Sequence, residues 1–417
     1  MPTQVQTARE AIAAIKPGDK VVVAGCSGVP AELLRAIMEK SEELPGVTLY
    51  SGMLCGPGNY GFIAPPYDER LRYVTWHMPT AFMKGVAGAR VEFLPISWGR
   101  IHRFVQDLQP DVALVSLSPE EAGEYSLGVS VGYHRSAIRF AKTVIAEVND
   151  RMPLSFGDSR VAPSDVDTIV KTSRTLDPFD QPTTHDPVLA TIGDIVAELI
   201  PDGSPLQIGV GGIPSAVLTG LKRLGRQVTL HSIITDEGVD LALAGGTCPL
   251  VPGGPTIVAV ETLGTQKCFD YIARNERVHM VPSTRMQNPM ELGKLRGFCS
   301  INSCLEIDLL GQCGSEMLGG KQISGIGGST DFMEGSWLSE GGFNVVALPS
   351  TTNKGHSRIV PMLAGGTAVT LPRHAVHTVV TEYGIARLFN LSDRDRRDAL
   401  ISIAHPDHRA ALRRGQL

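Results

Sequence analysis

Short apolar runs that alternate with amphipathic segments constrain the fold of this chain more than any other feature. VVVAG at 21–25 and VTLYSG at 47–52 are predicted to be buried strands, and PAELLRAIMEKSEEL at 30–44 between them has the apolar spacing of a helix. The same kind of run recurs at RYVTW (72–76), VEFLPI (91–96), DVALVSL (111–117) and TVIAEV (143–148). Strands that are joined by helical crossovers pair in parallel, so the pattern predicts an α/β fold with a parallel sheet covered by helices.

The second half of the chain repeats this plan. IGVGGIPSAVLTGLKRLGRQVTLHSI at 208–233 parallels VAGCSGVPAELLRAIMEKSEELPGVTLYSG at 23–52. Each segment contains a strand, a glycine-rich turn, a proline, a helix pattern and then the letters VTL. NVVALPST at 344–351 likewise resembles TVIAEVND at 143–150. This ordered set of matches indicates an internal duplication.

A chain of 417 residues is long enough for two or three domains. The duplication therefore predicts two similar open parallel-sheet domains, residues 1–185 and 186–417. We place the join near DQPTTHDPV at 180–188, which is rich in Pro, Thr and Asp. Ligands of open α/β sheets bind at the carboxyl ends of the strands, so we expect the active site in the cleft between the two domains.

Composition argues against several classes of protein. The net charge of −5 disfavours a nucleic-acid or membrane-surface binder, because both favour basic surfaces, and no apolar stretch reaches the ~18 residues of a membrane span. The seven cysteines include no CxxC pair, and His374 and His377 have no acidic partner nearby in sequence, so we predict no metal site. The N-terminus lacks the basic start and apolar run of a signal peptide, and we expect a cytoplasmic protein with reduced cysteines.

Two glycine-rich turns, at 209–214 and 325–332, are candidate anion sites. Glycines let backbone N–H groups approach an anion closely, and a following helix N-terminus adds the positive end of its dipole. Neither turn matches GxGxxG or GxxxxGK[ST], which disfavours a nucleotide site, and the alternative for each is a tight strand-to-helix turn. The candidate residues are Gly211, Gly212, Gly325, Gly327 and Gly328.

A polar segment at 349–361, PSTTNKGHSRIVP, follows a predicted strand. It offers two cationic side chains, Lys354 and Arg358, beside several hydroxyl and amide donors. That combination suits a phosphate or polyphosphate group. The alternative is a solvated loop without a ligand.

Several sequence blocks, taken together and in order, resemble those of the acetyl-CoA hydrolase/transferase family. This family comprises the single-chain class I CoA-transferases and includes 4-hydroxybutyrate CoA-transferase. The resemblance covers nearly the whole chain, and several independent blocks in order are more specific than any single glycine loop. The blocks are SLGVSVGYHRSA, AKTVIAEVNDRMP, IGVGGIPSAV, SINSCLEIDLLGQ, GGKQISGIGGSTDF, SRIVPML, VVTEYGIARL and IAHPDHR.

The resemblance implies an enzyme that acts on acyl-CoA and has no permanently bound cofactor. In this family a glutamate attacks the thioester, an acyl-glutamyl anhydride and then a glutamyl-CoA thioester form, and a second carboxylate collects the CoA. Backbone amides of the glycine loops would stabilise the oxyanion. By this resemblance Gly327 and Gly328 are oxyanion donors, Asn302 lies near the acyl group, Ser27 and Glu382 are supporting residues, and Lys354, Ser357 and Arg358 contact CoA.

The sequence departs from the family at the nucleophile. The family's glutamate follows the second VTLH-type strand, in a run like H-S/T-E-M, whereas this chain has HSIITDEG at 231–238. Aligned on His231, the glutamate position holds Ile233, and aligned on the later Asp240 it holds Ser232. Neither side chain can form an acyl anhydride by the family's route.

Three other glutamates are candidates for the missing carboxylate. Glu237 lies in an acidic segment, residues 235–238, that we predict to be a turn; Glu261 follows the apolar Val258-Ala259-Val260, and Glu124 lies in AGEYSLG. A carboxylate in an apolar strand is costly unless it is paired or used, and Glu261 fits this argument best. The alternative for each is a solvent-exposed side chain without a catalytic role.

Three functions are compatible with these residues. The first, which the resemblance favours, is a CoA-transferase that uses an enzyme carboxylate. The second is a hydrolase of a CoA-ester or C–C bond in an acyl-CoA, with a carboxylate as general base. The third is a CoA-binding protein without turnover. In each case acyl-CoA, with a carboxylate as co-substrate of the transferase, would be the partner, and folds of this type commonly form homo-oligomers such as homodimers.

Overall fold

Residues 1–78, 91–179 and 186–415 are described by the computed structural model of this chain. They divide between two units. The first unit consists of Met1–Asp180, Ile234–Asp236 and Val258–Met286. The second unit consists of Gln181–Ile233, Glu237–Ile257 and Gln287–Leu417. Most of the predicted join lies outside the described residues, and the domain boundary at 185 stays a prediction.

The strands are short, as expected for an α/β protein. In chain order they are β1 (Thr3–Val5), β2 (Lys20–Val23), β3 (Thr48–Ser51), β4 (Arg72–Thr75), β5 (Val91–Phe93), β6 (Val112–Leu117), β7 (Tyr125–Ser126), β8 (Thr143–Asn149), β9 (Phe156–Gly157), β10 (Arg160–Val161), β11 (Thr168–Thr172), β12 (Pro205–Ile208), β13 (Thr229–Ile234), β14 (Ile257–Thr262), β15 (Val278–Met280), β16 (Cys299–Ser303), β17 (Glu306–Asp308), β18 (Cys313–Gly314), β19 (Met317–Leu318), β20 (Lys321–Gln322), β21 (Phe343–Ala347), β22 (Ile359–Val360), β23 (Thr378–Thr381) and β24 (Gly384–Arg387).

The helices lie between these strands. They are α1 (Ala8–Ala11), α2 (Ala31–Glu39), α3 (Ile101–Leu108), α4 (His134–Phe140), α5 (Pro187–Leu199), α6 (Gly212–Leu224), α7 (Asp236–Leu243), α8 (Gln266–Ile272), α9 (Ser283–Met286), α10 (Pro289–Leu292), α11 (Ser329–Leu338), α12 (Asp393–Ser402) and α13 (Pro406–Arg414). Short 3₁₀ helices occur at Ile12–Ala14, Pro57–Ile63, Tyr67–Glu69, Trp98–Arg100 and Pro163–Asp165. Within the described part of the chain, no helix combines the length and the apolarity needed to cross a membrane.

The first unit is built on a parallel sheet with the strand order β1-β11-β8-β6-β2-β3-β4-β5. Every neighbouring pair in this order is parallel. All six residues of the central strand β6 are buried, because both faces of the sheet are covered. Helix α2 covers β2 and buries Leu33, Leu34 and Ile37 against Val21 and Val23.

A later part of the sequence joins the first unit and positions the candidate site. Strand β15 pairs in parallel with β9, and Val281 N donates to Ala259 O of β14 at 2.7 Å. The segment 129–132 runs along the end of β14. Val131 N and Gly132 N both donate to Val260 O, at 2.9 and 3.2 Å, and Thr262 N donates to Val129 O at 2.9 Å.

The second unit contains a sheet with the strand order β24-β23-β21-β16-β12-β13. Its pairs are parallel except β23–β24, which is antiparallel at the edge. A second hydrophobic core lies here, and it includes Ile307, Leu348, Val379, Leu388 and Leu400.

The fold class predicted from the sequence is confirmed, since both units are α/β with parallel sheets. The two segments matched in the sequence each form a strand, a helix and a parallel strand: β2, α2 and β3 in one unit, β12, α6 and β13 in the other. One local prediction is wrong. The acidic segment 235–238 is not a turn, because α7 begins at Asp236. Acidic residues in a first helical turn are favoured by the helix dipole, which is the physical reason for the difference.

A buried ion pair in the first unit leads to a stability prediction. Glu147 of β8 is fully buried, and burial raises its pKa against the opposing effect of the Arg174 guanidinium. Arg174 Nε donates to Glu147 Oε1 at 2.8 Å, and another nitrogen of Arg174 donates to Val29 O. We expect Arg174→Ala to destabilise the protein by about 3 kcal/mol, because it leaves a buried carboxylate without its cation. The measurement is the midpoint of urea unfolding at pH 7.

The control is Arg35→Ala, which removes an exposed pair with Glu32 and should change stability by about 0–1 kcal/mol. The pH dependence follows from the same physics. Without Arg174 the folded-state pKa of Glu147 rises further, so the destabilisation is present at high pH and decreases as the pH falls through that pKa. Equal destabilisation by both variants, or a penalty that does not depend on pH, would contradict the assignment.

Candidate active site

Glu261 is a buried carboxyl near the end of β14. Its exposed fraction is 2%, and such burial in a mostly apolar strand is unusual for a carboxyl group. The pairing of segment 129–132 with β14 places Ser130 directly opposite Glu261 in an isolated antiparallel bridge. The Ser130 hydroxyl is hydrogen-bonded to Glu261 Oε2. The carboxyl group is therefore held by a neutral partner.

The other carboxyl oxygen, Oε1, lies against Gly132. A Cβ atom at position 132 would overlap Oε1 and would contact Trp98 Cζ2 at 3.7 Å, so the site requires glycine there. Considering only the described residues, Glu261 Oε1, Trp98 Nε1 and Ser283 Oγ are buried without a hydrogen-bond partner. Ser283 N donates to Gly132 O at 3.1 Å. The three atoms thus belong to side chains of residues that lie next to Gly132, and buried polar atoms without partners are uncommon in folded proteins.

His134 fixes the backbone around Ser130. Its Nε2 accepts from Gly25 N at 2.9 Å, which places the ring proton on Nδ1, and Nδ1 donates to Ser130 O at 2.8 Å. Burial lowers the pKa of His134 to about 4, so the ring is neutral at physiological pH. His134 therefore holds Gly25 and Ser130 together as a neutral spacer.

Two buried thiols complete the surroundings of Glu261. Cys26 adopts a left-handed backbone conformation with φ of 52°, which is uncommon for a residue other than glycine. Its N–H donates to Met53 O at 2.6 Å, and Cys55 N donates to Cys26 O at 3.1 Å. Burial raises the pKa of Cys26 well above the usual value and that of Cys55 to about 12. Both thiols stay protonated, so neither is a ready nucleophile.

Burial has the largest effect on the proton affinity of Glu261. It raises the pKa of this carboxyl to about 8, although the Ser130 hydroxyl and the Cys26 thiol stabilise the anion and oppose the shift. At neutral pH the Glu261 carboxyl is therefore mostly protonated, and a minor fraction is ionised. Such perturbed carboxyls are typical of catalytic acids, bases and nucleophiles.

Of the other two site residues predicted in the first unit, one lies beside Glu261 and one does not. Ser27 is fully buried, and its hydroxyl donates to Thr262 O at 3.5 Å, next to Glu261 in sequence. Glu124 is exposed in a turn where its backbone pairs with Glu121, and no hydrogen bond connects it with Glu261 among the contacts of the described residues. The structure therefore brings Ser27 to the Glu261 centre and leaves Glu124 outside it.

In the second unit, Glu237 lies at the first turn of α7 and is half-buried. Its Oε1 accepts from Ser215 Oγ at 3.0 Å. Ser215 belongs to α6, which begins at Gly212 and is preceded by Gly211 with φ of 123°. Glu237 is thus linked to the first glycine turn through a serine.

The two positions that align with the family's glutamate offer no carboxylate. Ser232 is buried and Ile233 is half-buried, both on β13. Asp236, the acid next in sequence, accepts hydrogen bonds from Thr265 N and Oγ1 and from the Cys268 thiol. Asp236 therefore stabilises the start of α8.

Asn302 and the second glycine turn also lie in the second unit. Asn302 Nδ2 donates to Gln207 Oε1 at 3.1 Å and to Ser300 Oγ at 2.9 Å. Gly327 has φ of 68°, and Gly328 immediately precedes α11, while Gly325 is buried. The turn therefore leads into a helix N-terminus, as an anion site of this type requires.

The polar segment 349–361 is partly tied to the protein itself. Lys354 is exposed, whereas the Ser357 hydroxyl donates to Ile359 O at 2.6 Å. Arg358 donates to Leu305 O at 2.7 Å and, through Nε, to Thr351 O at 3.4 Å. At the start of the segment, Glu382 accepts from the backbone N–H and the hydroxyl of Ser350, at 2.9 and 2.5 Å. Glu382 thus supports the loop.

The sequence reasoning missed Ser130, His134, Gly132 and Cys26. Ser130, Gly132 and His134 lie in the block SLGVSVGYHRSA, which carried the family resemblance but showed no local sign of chemistry. Across the described residues, no group of three or more His, Cys, Asp or Glu side chains is placed to hold a metal ion. The best candidate for a catalytic group is therefore the single carboxyl of Glu261 with its neutral partners.

Comparison with known proteins places this geometry in context. The family model described as acetyl-CoA hydrolase/transferase N-terminal domain matches residues 2–179, and the corresponding C-terminal domain matches 264–415. The chain is 37% identical to 4-hydroxybutyrate coenzyme A transferase from Clostridium kluyveri, over 97% of this chain and 95% of that protein. It is 36% identical to succinyl-CoA:cyclohexane-1-carboxylate CoA transferase from Geobacter metallireducens, over 97% and 92%. The crystal structure of RipA from Yersinia pestis is similar with a TM-score of 0.90 and 28% identity, over 99% of this chain and 96% of that one.

The neutral state of His134 leads to a prediction for pH-dependent stability. Its folded-state pKa of about 4 lies below the unfolded value of about 6.5. Between these two values the unfolded chain binds a proton at this histidine and the folded protein does not. His134 therefore lowers stability as the pH falls from about 6.5 towards 4. We expect wild type to lose about 2 kcal/mol between pH 7 and 5 from this residue, and His134→Gln to lose correspondingly less.

The measurement is the thermal unfolding midpoint at pH 7, 6 and 5. His356→Gln is the matched control, because this histidine lies on an exposed loop, and its pH dependence should follow that of the wild type. If the unfolding midpoint of His134→Gln falls with pH as steeply as that of the wild type, groups other than His134 cause the pH dependence.

Proposed function

Because the chain belongs to the acetyl-CoA hydrolase/transferase family, we propose that it is a CoA-transferase that moves CoA between carboxylic acids through an enzyme carboxylate. The family predicted from the sequence blocks is confirmed by the two domain models. Two relatives that align over almost the whole chain are named CoA transferases, which supports this activity over hydrolysis.

Glu261 carries the proposal as the enzyme carboxylate. It is buried, one of its oxygens has no hydrogen-bond partner within the described ranges, and its pKa is raised to about 8. Glu237 is half-buried and its Oε1 accepts from Ser215, and Glu124 is exposed, so neither is buried as Glu261 is. A carboxyl with raised pKa gives a more basic, and therefore more nucleophilic, anion than an ordinary glutamate.

The proposed reaction needs no net proton transfer. Ionised Glu261 attacks the acyl carbon of the thioester, the C–S bond breaks, and CoA thiolate leaves an acyl-glutamyl anhydride. The thiolate then attacks the glutamyl carbonyl, which releases the first carboxylate and forms a glutamyl-CoA thioester. An acceptor carboxylate reverses these two steps, which produces the new acyl-CoA and restores the Glu261 anion.

Roles for the second unit are proposed from the family resemblance. Gly327 and Gly328 precede α11, and their N–H groups suit an oxyanion. Exposed Lys354 suits a phosphate of CoA, whereas Ser357 and Arg358 donate to backbone carbonyls and also stiffen the loop. We propose no permanently bound cofactor, and the homo-oligomeric state and cytoplasmic location stay predictions.

A hydrolase is the second candidate, and one observation favours it. Glu261 Oε1, which has no hydrogen-bond partner among the described residues, could accept a hydrogen bond from water, and a carboxylate with a pKa of about 8 suits a general base near neutral pH. In this reaction water, not Glu261, attacks the thioester carbon. The two mechanisms differ in whether an enzyme–CoA adduct forms.

Intact-mass spectrometry tests the assignment. The protein is incubated with a panel of acyl-CoAs at pH 8.5, without an acceptor acid, where Glu261 is mostly ionised. We expect a gain equal to the mass of CoA minus water in the wild type, and its loss in Glu261→Gln, which keeps the shape of the side chain and removes the nucleophile. Glu237→Gln and Glu124→Gln are matched controls and should retain the adduct.

Each outcome selects one function. An adduct that persists in Glu261→Gln and disappears in Glu237→Gln would move the nucleophile to the second unit. Free CoA released without an adduct would identify a hydrolase. CoA binding without an adduct and without release would identify a protein that binds CoA but does not turn it over.

A further inference from the structure

The Ser130 hydroxyl has one hydrogen and two acceptors in reach. Its Oγ lies 3.2 Å from Gly25 O and is also hydrogen-bonded to Glu261 Oε2. When Glu261 is protonated, its own hydrogen can point to Ser130 Oγ while the Ser130 hydrogen points to Gly25 O. When Glu261 is ionised, the carboxylate only accepts, so the Ser130 hydrogen has to turn towards it.

Turning the hydroxyl away leaves no buried carbonyl without a donor. Gly28 N also donates to Gly25 O, at 3.2 Å, so Gly25 O keeps a hydrogen bond in both states. This matters because an unsatisfied buried acceptor would oppose the ionised state. The second donor therefore removes this penalty from the ionised state.

We propose that Ser130 is the positioning residue that sets the proton state of Glu261, by turning its hydroxyl between Gly25 O and the carboxylate. The inference rests on the proposed function of Glu261 as the enzyme carboxylate. During turnover Ser130 would donate to the Glu261 anion before attack, and would donate to Gly25 O again once the carboxylate is acylated and its charge is lost. The proton of the resting Glu261 carboxyl is lost before attack, and from the anion onwards only the hydroxyl hydrogen of Ser130 reorients.

The frame around the hydroxyl is rigid. His134 binds Gly25 N and Ser130 O, which fixes the distance between the two backbones. A Cβ atom at Gly28 would lie 2.7 Å from Ser130 Cβ, so the Ser130 side chain is confined from that side. Within this frame the direction of the O–H bond is the remaining freedom.

The titratable groups that face Glu261 do not change charge in the same pH range. Burial raises the pKa of Cys26 and Tyr133 well above their usual values and that of Cys55 to about 12. Burial lowers the pKa of His134 to about 4. These groups therefore stay neutral over the pH 6–10 range of the tests, so they do not obscure the ionisation of Glu261.

The first test measures the rate of adduct formation from pH 6 to 10. Removing the hydroxyl in Ser130→Ala destabilises the Glu261 anion, so we expect the midpoint of the pH profile to rise by about one pH unit, with the plateau at high pH retained. Ser130→Cys keeps the shape with a weaker donor and should give an intermediate shift. Ser155→Ala is the matched control, because this buried hydroxyl donates to Gly128 O at 2.8 Å and does not contact Glu261, and its midpoint should equal that of the wild type.

A second test follows Glu261 without turnover. Infrared difference spectra between pH 6 and 10 record the C=O stretch of the protonated carboxyl, and subtraction of the Glu261→Gln spectra assigns it. A Ser130→Ala midpoint equal to the wild-type value would overturn the role of Ser130, whether or not an adduct forms. A shifted midpoint without an adduct in the wild type would refute the proposed nucleophile and support Ser130. If Ser130→Ala does not fold, the same comparison of the Glu261 midpoint is made between Ser130→Cys and the wild type.

Discussion

A short antiparallel pairing between residues 129–132 and the end of β14 is the interaction on which the candidate site depends. Val260 O accepts from two successive N–H groups, of Val131 and Gly132, and Thr262 N returns a hydrogen bond to Val129 O. These backbone contacts set the register that places Ser130 opposite Glu261. A slip by one residue would exchange the two sides of the strand and direct the carboxyl elsewhere.

Burying this carboxyl imposes requirements on its neighbours. Position 132 has to be glycine, because a Cβ atom there would overlap Glu261 Oε1. Cys26 adopts a left-handed φ of 52°, in a segment whose backbone also pairs with Met53 and Cys55. Backbone conformations of this kind persist where the surrounding contacts fix them, and they are frequent at functional sites. Both local irregularities, the required glycine at 132 and the left-handed Cys26, thus lie beside one buried acid.

The sequence predicted the elements with strong periodicity and missed contacts between distant residues. β6 was predictable because Val112–Leu117 is apolar throughout, as a strand covered on both faces has to be. The acidic segment at 235–238 was misassigned because Asp236 and Glu237 suit a helix start as well as a turn. Glu261 was identified as an acid in an apolar run, but Ser130 is 131 residues away, and no local pattern reports such a contact.

Two buried glutamates in the first unit show how structure separates a stabilising carboxylate from a functional one. Glu147 is paired with the Arg174 guanidinium and accepts from Glu32 N at 3.0 Å, so its charge is compensated. The partners of Glu261 among the described residues, Ser130 and Cys26, are neutral, and burial raises its pKa to about 8. A compensated buried charge adds a fixed structural contact, whereas an uncompensated one changes its proton state near neutral pH and is available for chemistry. Both carboxyls are buried, so what distinguishes Glu261 among the described residues is that no cationic side chain is paired with it.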